Sequence, residues 1–310
     1  MPPLVNYDSP RELRAFLDER GLGMRKKHGQ NFLINSTARE KLLDALELKP
    51  GDKVWEIGPG LGAMTAGLLA RGAEVSAFEI DAAFAQALRE FFGDNSAFRL
   101  IEGDVLKTWP AIQNEEYLKN PGSVADDTFL FGNLPYNIAA ALLADFIGKG
   151  RFFKRMVVTV QREVAQRMAA RPASADYSSF SVLCASVYKV TPLAVIKPAS
   201  FYPPPRVESQ GVRLDLENTR RKLPRLFYPL VRSLFSSRRK TIKNTLTNFA
   251  ASVIITNKAP ARAVGAAGAS IAAEVFGRAG ISGERRPETL NIEEFAALAA
   301  FLEEIVSGVQ

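Results

Sequence analysis

The stretch KVWEIGPGLG, residues 53–62, joins a short apolar run to a turn that contains three glycines. Residues 53–57 have the length and composition of a buried strand, and the residues from the turn to Ala70 have helical spacing. Glycines after a strand let the backbone turn tightly into a helix and pass close to a ligand. The stretch therefore predicts a strand, a ligand-binding turn and a helix in succession.

The same alternation of strands and helices continues along the chain. Further strands are predicted at residues 74–80, 98–102, 128–131 and 155–160. Helices are predicted at residues 82–92 and 162–168. A further helix is predicted after the strand at residues 128–131 and ends at residue 146. Such alternation implies right-handed crossovers and a parallel sheet that is covered on both faces. Residues 181–190 and 207–216 predict antiparallel strands at the edge of this sheet.

After residue 217 the strand patterns stop. Helical patterns remain at residues 223–235, 239–250, 270–279 and 292–306. The predicted fold class is therefore α/β, with a sheet domain of residues 25–217 and a small all-α C-terminal domain of residues 218–310. Residues 1–24 form an N-terminal extension, in which Ser9 and Pro10 predict the start of a helix.

Composition excludes several classes of protein. The 310 residues are 47% hydrophobic, which predicts a substantial core rather than disorder. Cys184 and His28 are the single residues of their types, so neither an internal disulfide nor a zinc site is expected. There is no apolar signal segment, and no run approaches the ~18 apolar residues of a membrane helix. We therefore expect a cytoplasmic protein without membrane attachment or a metal.

The excess of basic residues is concentrated in one part of the chain. The net charge is +7 and the pI is about 9.5, which suggests a polyanionic partner. Residues 218–273 contain no Asp or Glu, whereas an ordinary solvated helix face mixes both signs. The pattern predicts RNA phosphate binding by the cluster Arg238, Arg239, Lys240 and Lys243.

Acidic residues stand at the ends of the second and third predicted strands. Glu79 follows Gly58 by about 20 residues, where a carboxylate accepts from the hydroxyls of a ribose. Asp104 suits the exocyclic amine of an adenine ring, although an aspartate in such a place also often caps a helix. Because the carboxyl ends of parallel strands meet at one edge of a sheet, these residues predict a nucleotide site.

Two nucleotide cofactors fit the glycine turn. Gly58, Gly60 and Gly62 have the spacing G-x-G-x-G, whereas a dinucleotide site prefers G-x-G-x-x-G. S-adenosylmethionine has no pyrophosphate to be held, so the shorter loop, preceded by an acidic residue, favours this methyl donor over NAD.

The fourth predicted strand ends in a group of residues suited to a base amine. The Asn133 side-chain oxygen and the Leu134 carbonyl are two acceptors for the N–H groups of an exocyclic adenine amine. Accepting both hydrogens favours a more tetrahedral nitrogen, whose lone pair can then point at the methyl group. Pro135 stiffens the turn, and Tyr136 offers a ring on which a flipped-out base can stack. A simple turn capped by Asn133 is the alternative interpretation.

From about residue 25 onward, the chain resembles the ribosomal RNA adenine N6-dimethyltransferases. The resemblance rests on KHGQNFL (27–33), EIGPGLGAMT (56–65), FEID (78–81), EGD (102–104), FGNLPYNI (131–138), QREVAQRM (161–168), SFYPPPRVES (200–209), FSSRRKTIKN (235–244) and RRPETLNIEEF (285–295). Each motif is short, but the combination is specific. It is most similar to the branch that modifies two adjacent adenines near the 3′ end of small-subunit rRNA.

The resemblance implies a Rossmann-like, S-adenosylmethionine-dependent methyltransferase sheet and roles for individual residues. The residues implied to hold the methyl donor are Asn31, Leu33, Gly58, Gly60, Glu79, Asp104 and Asn133. The residues implied to act at the target amine are Asn133, Leu134, Pro135 and Tyr136, with Phe201 beside the target base. Independently, residues 201–205 indicate either a stiff loop that displays aromatic rings or ordinary loop packing.

The expected function is N6,N6-dimethylation of the two adenines within a pre-assembled small ribosomal subunit, with a role in its biogenesis. The helical domain is expected to bind RNA, and the protein is expected to be a monomer. Two alternatives remain open: an assembly factor that acts mainly by binding, and a resistance-type methyltransferase of large-subunit rRNA. An NAD oxidoreductase is a more distant alternative.

Overall fold

A computed structural model describes residues 5–22, 31–119, 127–134, 138–217, 223–237, 239–254 and 261–308. The chain divides into two compact units. The first, the sheet unit, comprises Met1–Gln166 and Tyr188–Leu216. The second, the helical unit, comprises Arg167–Val187 and Glu217–Gln310. The helical unit thus includes a segment that the sequence assigned to the sheet domain.

A seven-stranded sheet forms the centre of the first unit. Its strands are β2 (Lys53–Ile57), β3 (Glu74–Glu79), β4 (Phe98–Glu102), β5 (Phe129–Asn133), β6 (Arg155–Gln161), β7 (Tyr188–Ile196) and β9 (Ser209–Leu216). Their order is β4-β3-β2-β5-β6-β9-β7. Strands β2 to β6 pair in parallel, and β9 pairs antiparallel with both β6 and β7. The five predicted parallel strands are confirmed.

The strand order reverses beside β2. The chain proceeds outward through β3 and β4 and then returns to place β5 on the other side of β2. Ligands bind at such switch points, beyond the carboxyl ends of the strands. The ends of β2 and β5 therefore define the edge of the sheet at which a site is expected.

The helices of the sheet unit follow the predicted alternation. They are α1 (Pro10–Glu19), α2 (Ser36–Asp44), α3 (Ala63–Ala70), α4 (Ala82–Phe92), α5 (Val105–Lys119), α6 (Ala139–Gly148) and the start of α7 (Arg162–Ala169). The predicted start of α1 is confirmed, because the Ser9 side chain accepts from the Glu12 N–H and Pro10 follows it. The sequence patterns missed α5, which has Pro110 in its interior.

Both regions predicted as antiparallel strands at the edge of the sheet supply antiparallel strands, but the extent of the first and the position of the second were wrong. Residues 181–190 do not form a single strand, because α8 (Ser179–Ala185) occupies their first half. Ser178 and Ser181 form a capping box that starts this helix, and Phe180, Val182 and Cys184 are buried on it. The β9 strand lies inside the sheet between β6 and β7, so only β7 is an edge strand of this pair.

A separate two-stranded ribbon lies in the same unit. Here β1 (Phe32–Leu33) pairs antiparallel with β8 (Phe201–Tyr202), so that Leu33 faces Phe201 across the ribbon. Both residues pack with Leu42 of α2 and Phe131 of β5 in one apolar cluster. The ribbon thereby covers one face of the sheet near the end of β5.

The helical unit has its own core. It contains α8, α9 (Phe227–Phe235), α10 (Ile242–Ile254), α11 (Ala261–Ala279) and α12 (Ile292–Gly308). Phe227, Leu246, Val275, Phe295 and Leu298 are among its buried residues. Helix α10 packs on α11, and α12 packs on both α9 and α11. None of the helices in the described ranges is long and apolar enough to cross a membrane.

Candidate methyl-donor and amine site

A cleft opens at the carboxyl ends of β2 and β5, at the switch point of the sheet. Gly58 and Gly60 line it from the loop after β2, Glu79 from the end of β3, and Asn133 from the end of β5. The cleft has an empty volume of about 840 Å³, which includes solvent at its mouth. The structure thus brings together residues that the sequence placed at three different strand ends.

The glycine loop requires glycine at two positions for the same two steric reasons, a positive φ and a neighbouring aromatic ring. Gly60 has a φ of 58°, and a Cβ atom there would lie 2.9 Å from the Phe32 ring. Gly62 has a φ of 83°, and its Cβ atom would lie 2.4 Å from the Phe92 ring. Any side chain at these positions would strain the backbone and displace a ring. The loop can therefore hold its backbone close to a ligand only while glycine is present.

Glu79 fastens this loop to the end of β3. Its carboxylate accepts from the Gly60 N–H at 3.1 Å and from the Asp81 N–H at 2.8 Å. The side chain is only 4% exposed, and this burial raises the pKa of Glu79 to about 7. A carboxylate has about four acceptor positions, so the two bonds leave capacity for the hydroxyls of a ribose.

Glu56 is the acidic residue that precedes the glycine loop, and it was not among the predicted site residues. It lies on β2 with 2% exposure, lines the cleft, and accepts from the Thr65 hydroxyl at 2.7 Å. Burial raises the pKa of Glu56 to about 8. The one signal in the sequence was an acidic residue among the apolar residues 54–57, two positions before Gly58. A cationic ligand bound beside these two buried carboxyl groups would lower their pKa and favour the carboxylate forms, whereas a pyrophosphate would be repelled by them.

Asn133 is oriented by the segment that contains β1. Its side-chain nitrogen donates to the Asn31 backbone carbonyl at 2.9 Å. Since a carbonyl can only accept, this bond fixes which branch of the carboxamide carries the nitrogen. The carboxamide oxygen lies on the other branch. Asn31 and Leu33 also line the cleft, so the predicted donor-binding residues share one wall with Asn133.

The residues after Asn133 are described only in part. The Leu134 N–H donates to the Thr159 carbonyl at 3.0 Å, and the Leu134 side chain is buried. This bond holds the backbone of Leu134 at the end of β5. Pro135 and Tyr136 lie outside the described residues.

Thr159 is a second cleft residue that the sequence did not reveal. It pairs with Asn133 between β5 and β6 and lines the cleft. Its hydroxyl is buried and has no hydrogen-bond partner among the described residues. No sequence signal distinguishes this threonine from the apolar residues around it in β6.

Asp104 does not line the cleft in the described structure. It follows β4, where the neighbouring Gly103 N–H donates to the Glu79 carbonyl at 2.8 Å. One carboxylate oxygen of Asp104 accepts from the Leu106 N–H at 3.0 Å, at the start of α5. The structure therefore shows the helix cap that the sequence analysis considered, and a contact with an adenine ring stays a prediction.

Phe201 is packed rather than displayed. Its side chain is 2% exposed and lies in the apolar cluster with Leu33 and Leu42. Of the two interpretations of residues 201–205, the burial of Phe201 agrees with ordinary loop packing. Its position beside a target base stays a prediction from resemblance.

Basic side chains near the start of α10 are exposed in the helical unit. Arg239, Lys240 and Lys243 all face solvent. Lys243 has a partner in Glu284 at 3.4 Å, whereas Arg239 and Lys240 form no ion pair within the described ranges. Arg238 lies outside the described residues.

Comparisons with known proteins bear on the identity of this cleft. The family model described as "Ribosomal RNA adenine dimethylase" matches residues 21–260. A protein of Treponema denticola named "Ribosomal RNA small subunit methyltransferase A" is 42% identical over 96% of this chain and 95% of its own. Proteins of the same name from Treponema pallidum and Borreliella burgdorferi are 43% and 40% identical over 95% of this chain and 96% and 94% of theirs.

Two solved structures share the fold. A dimethyladenosine transferase from Plasmodium falciparum superimposes with a TM-score of 0.70 at 24% identity, covering 87% of this chain and 96% of its own. The 23S rRNA methyltransferase ErmE has a TM-score of 0.56 at 20% identity, covering 87% and 99%. These likenesses confirm the predicted α/β fold. The NAD alternative is wrong, because the family match and the relatives that are 40–43% identical are rRNA methyltransferases. The chain belongs to the ribosomal RNA adenine dimethylase family and is an S-adenosylmethionine-dependent rRNA adenine methyltransferase.

Proposed function

We propose that the protein transfers methyl groups to the N6 amines of two adjacent adenines near the 3′ end of small-subunit rRNA. The observation that carries the proposal is the hydrogen bond from Asn133 to the Asn31 carbonyl on the wall of the cleft. Because the nitrogen of the Asn133 carboxamide is used in this bond, its oxygen can accept a hydrogen bond from an amine at the end of β5. The names of the relatives from Treponema and Borreliella support the small subunit as the substrate.

The chemical difficulty is that an exocyclic adenine amine is a poor nucleophile, because its lone pair is delocalised into the ring. In the proposal the Asn133 oxygen and the Leu134 carbonyl accept its two N–H groups. This arrangement holds the amine in place and favours a tetrahedral nitrogen whose lone pair points into the cleft. Orientation at a reacting distance of about 3–3.5 Å then contributes to the rate. Pro135 would hold the angle of the turn, and Tyr136 would support the base by stacking.

The residues of the cleft fit the methyl donor. S-adenosylmethionine supplies an electrophilic methyl group on a cationic sulfonium. The buried carboxyl groups of Glu56 and Glu79 suit that positive charge. We assign the ribose hydroxyls to Glu79, close backbone contact to Gly58 and Gly60, and the opposite wall to Asn31 and Leu33.

Two further residues are assigned from the resemblance. Asp104 would accept a hydrogen bond from the exocyclic amine of the donor's adenine. It would use the carboxylate oxygen that does not cap α5. Phe201 would flank the target base only after its ring leaves the apolar cluster, because the side chain is buried.

The helical unit is proposed to bind the RNA backbone. Arg238, Arg239, Lys240 and Lys243 would contact phosphates and set the register of the RNA, while shape and exposed bases select the target. We further propose that the substrate is a pre-assembled small subunit in the cytoplasm and that the enzyme acts as a monomer.

Two alternatives differ in what they require of the cleft. An assembly factor that acts only by binding requires no oriented acceptor beside the donor. A strain that carries an inactive Asn133 variant but assembles subunits normally would favour binding as the main role. A large-subunit enzyme would share the same cleft. It is therefore distinguished by whether dimethyladenine is found in the rRNA of the large or the small subunit.

The decisive experiment maps dimethyladenine in ribosomes from a strain that lacks the gene and from the same strain after complementation. The proposal expects two adjacent dimethyladenines near the 3′ end of small-subunit rRNA, absent in the deletion strain and restored by the complementing gene. A change confined to large-subunit rRNA would contradict it. The mass of the purified protein in solution, measured by analytical ultracentrifugation, tests separately whether it is a monomer.

A further inference from the structure

A segment near the N-terminus contacts the glycine loop directly. We call residues 5–22 the N-terminal strap. The Tyr7 hydroxyl in this strap donates to the Leu61 carbonyl at 2.9 Å, and both residues are buried. Leu61 lies between Gly60 and Gly62, so this bond fixes the backbone of the loop that lines the donor cleft. The bond spans 54 residues of chain.

The strap also contacts the opposite wall of the cleft through Arg39 of α2. Asp8 pairs with the Arg39 guanidinium at 2.5 Å, and the same guanidinium donates to the Leu33 carbonyl at 2.8 Å. Leu33 lines the cleft. Consecutive residues of the strap, Tyr7 and Asp8, thus hold the loop after β2 and the β1 segment respectively.

Apolar packing keeps the strap in place. Val5, Leu13 and Leu17 are buried in one cluster with Leu61 and with Phe84 of α4. Helix α1 supplies two of these side chains and begins at a capped N-terminus. The strap is therefore a folded part of the sheet unit that packs against the donor-binding loop.

The Tyr7 hydroxyl is a reliable donor in this position. Burial, and next the nearby Glu56 carboxyl, raise the pKa of the Tyr7 phenol far above its ordinary value. The hydroxyl therefore keeps its proton throughout the physiological pH range. Removing it would leave the Leu61 carbonyl without that partner, and a buried carbonyl without a partner is costly enough to shift the loop.

We propose that the N-terminal strap preorganises the methyl-donor cleft, with Tyr7 as the positioning residue for the glycine loop and Asp8 for the β1 wall. Neither residue touches the donor in this assignment. Tyr7 acts through Leu61, and Asp8 acts through Arg39. The inference rests on the assignment of the cleft to the methyl donor, and it does not depend on which adenines are modified.

The test compares Tyr7→Phe with a matched control in the same strap. Ser9→Ala removes the cap of α1, whose side chain accepts from the Glu12 N–H, but it leaves both contacts to the cleft walls intact. Direct calorimetric titration with S-adenosylmethionine should show about fivefold weaker binding for Tyr7→Phe, the order expected from one net hydrogen bond. Ser9→Ala should bind the donor like the wild type.

Kinetics separate positioning from general loosening of the fold. For Tyr7→Phe, KM for the donor should rise while KM for RNA and kcat at saturating donor stay near the wild-type values. Asp8→Asn should likewise weaken donor binding, and it provides a second readout if Tyr7→Phe is poorly folded.

Three outcomes would overturn the inference. These are unchanged donor affinity in both Tyr7→Phe and Asp8→Asn, equal weakening by Ser9→Ala, and a parallel rise in KM for RNA. A wild-type protein that binds no S-adenosylmethionine would instead contradict the assignment of the cleft, so the two failures are distinguishable.

Discussion

The side-chain nitrogen of Asn133 donates to the backbone carbonyl of Asn31 at 2.9 Å, across 102 residues of chain. The bond joins the end of β5 to the segment that leads into β1. It therefore couples the proposed amine-binding residue to a wall of the donor cleft. A single hydrogen bond thus sets the orientation of the carboxamide before any substrate arrives.

Asn133→Ala should abolish most methyl transfer without preventing donor binding. The variant removes both the acceptor for the amine and the bond to Asn31, and loss of one preorganised polar group at a reacting centre typically costs about 10²–10³ in kcat. Transfer of labelled methyl groups to immature small subunits measures the effect. Calorimetric titration with the donor should change by less than the catalytic loss. An active variant would contradict the proposed role of Asn133.

Glu56→Gln should stabilise the donor-free protein at pH 8 and above. The folded pKa of Glu56 is about 8, raised from 4.5 by burial. Below pH 4.5 the Glu56 carboxyl is protonated in both the folded and the unfolded protein. Between pH 4.5 and about pH 8 only the unfolded protein loses this proton. The free energy of unfolding therefore falls as pH rises through this window. Glutamine cannot ionise, so this part of the pH dependence should disappear.

Chemical denaturation of both proteins from pH 5 to pH 9 measures this difference. Glu79, whose pKa is about 7, should contribute a similar fall that both proteins share. Equal pH dependence in the two proteins would show that Glu56 does not titrate in this window. The same variant should bind the cationic donor more weakly at pH 8, because it lacks the negative charge.

Gly60→Ala should weaken donor binding and lower stability together. An alanine at a φ of 58° is strained, and its Cβ atom would lie 2.9 Å from the Phe32 ring. We expect a loss of about 1–3 kcal/mol in the free energy of unfolding. Gly148→Ala is the matched control, since no atom lies within 4 Å of the Cβ position there. Thermal unfolding and donor titration measure the two effects. Equal results for Gly60→Ala and Gly148→Ala would contradict the steric role of Gly60.

Thr159→Val should be neutral or stabilising in the donor-free protein. The Thr159 hydroxyl is buried without a hydrogen-bond partner among the described residues, and valine has nearly the same shape. Replacing an unsatisfied polar group with an apolar one of equal shape removes a desolvation cost of about 1–3 kcal/mol. Thermal unfolding measures the change. A destabilised variant would show that the hydroxyl has a partner, such as an ordered water.

Arg239→Ala combined with Lys240→Ala should weaken RNA binding but not donor binding. Both side chains are exposed in the residues just before α10. Each lost phosphate contact should reduce the slope of log affinity against log salt by about 1. Filter binding to small-subunit rRNA across salt concentrations measures the slope. The single variants Arg239→Ala and Lys240→Ala are compared with Arg14→Ala, an exposed change on α1 that removes the same single positive charge.

The sequence predicted the parallel strands because its apolar runs and glycine turns repeat at regular intervals. It failed where periodicity was ambiguous. Residues 181–190 suit a strand or a buried helix equally well, and the Ser178–Ser181 capping box selected the helix for the first half. Pro110 concealed α5 for a related reason, because proline normally marks the end of a helical pattern.

The parallel strands, the glycine loop and the residues at the strand ends could be predicted without the structure, because they depend on local periodicity and on the chemistry of single positions. The way in which the strand ends meet in one cleft became visible in the folded chain. The contacts of Tyr7 with Leu61 and of Asn133 with Asn31 join residues 54 and 102 positions apart. Hydrogen bonds at such separations depend on the packing of the whole sheet unit, which no local pattern encodes.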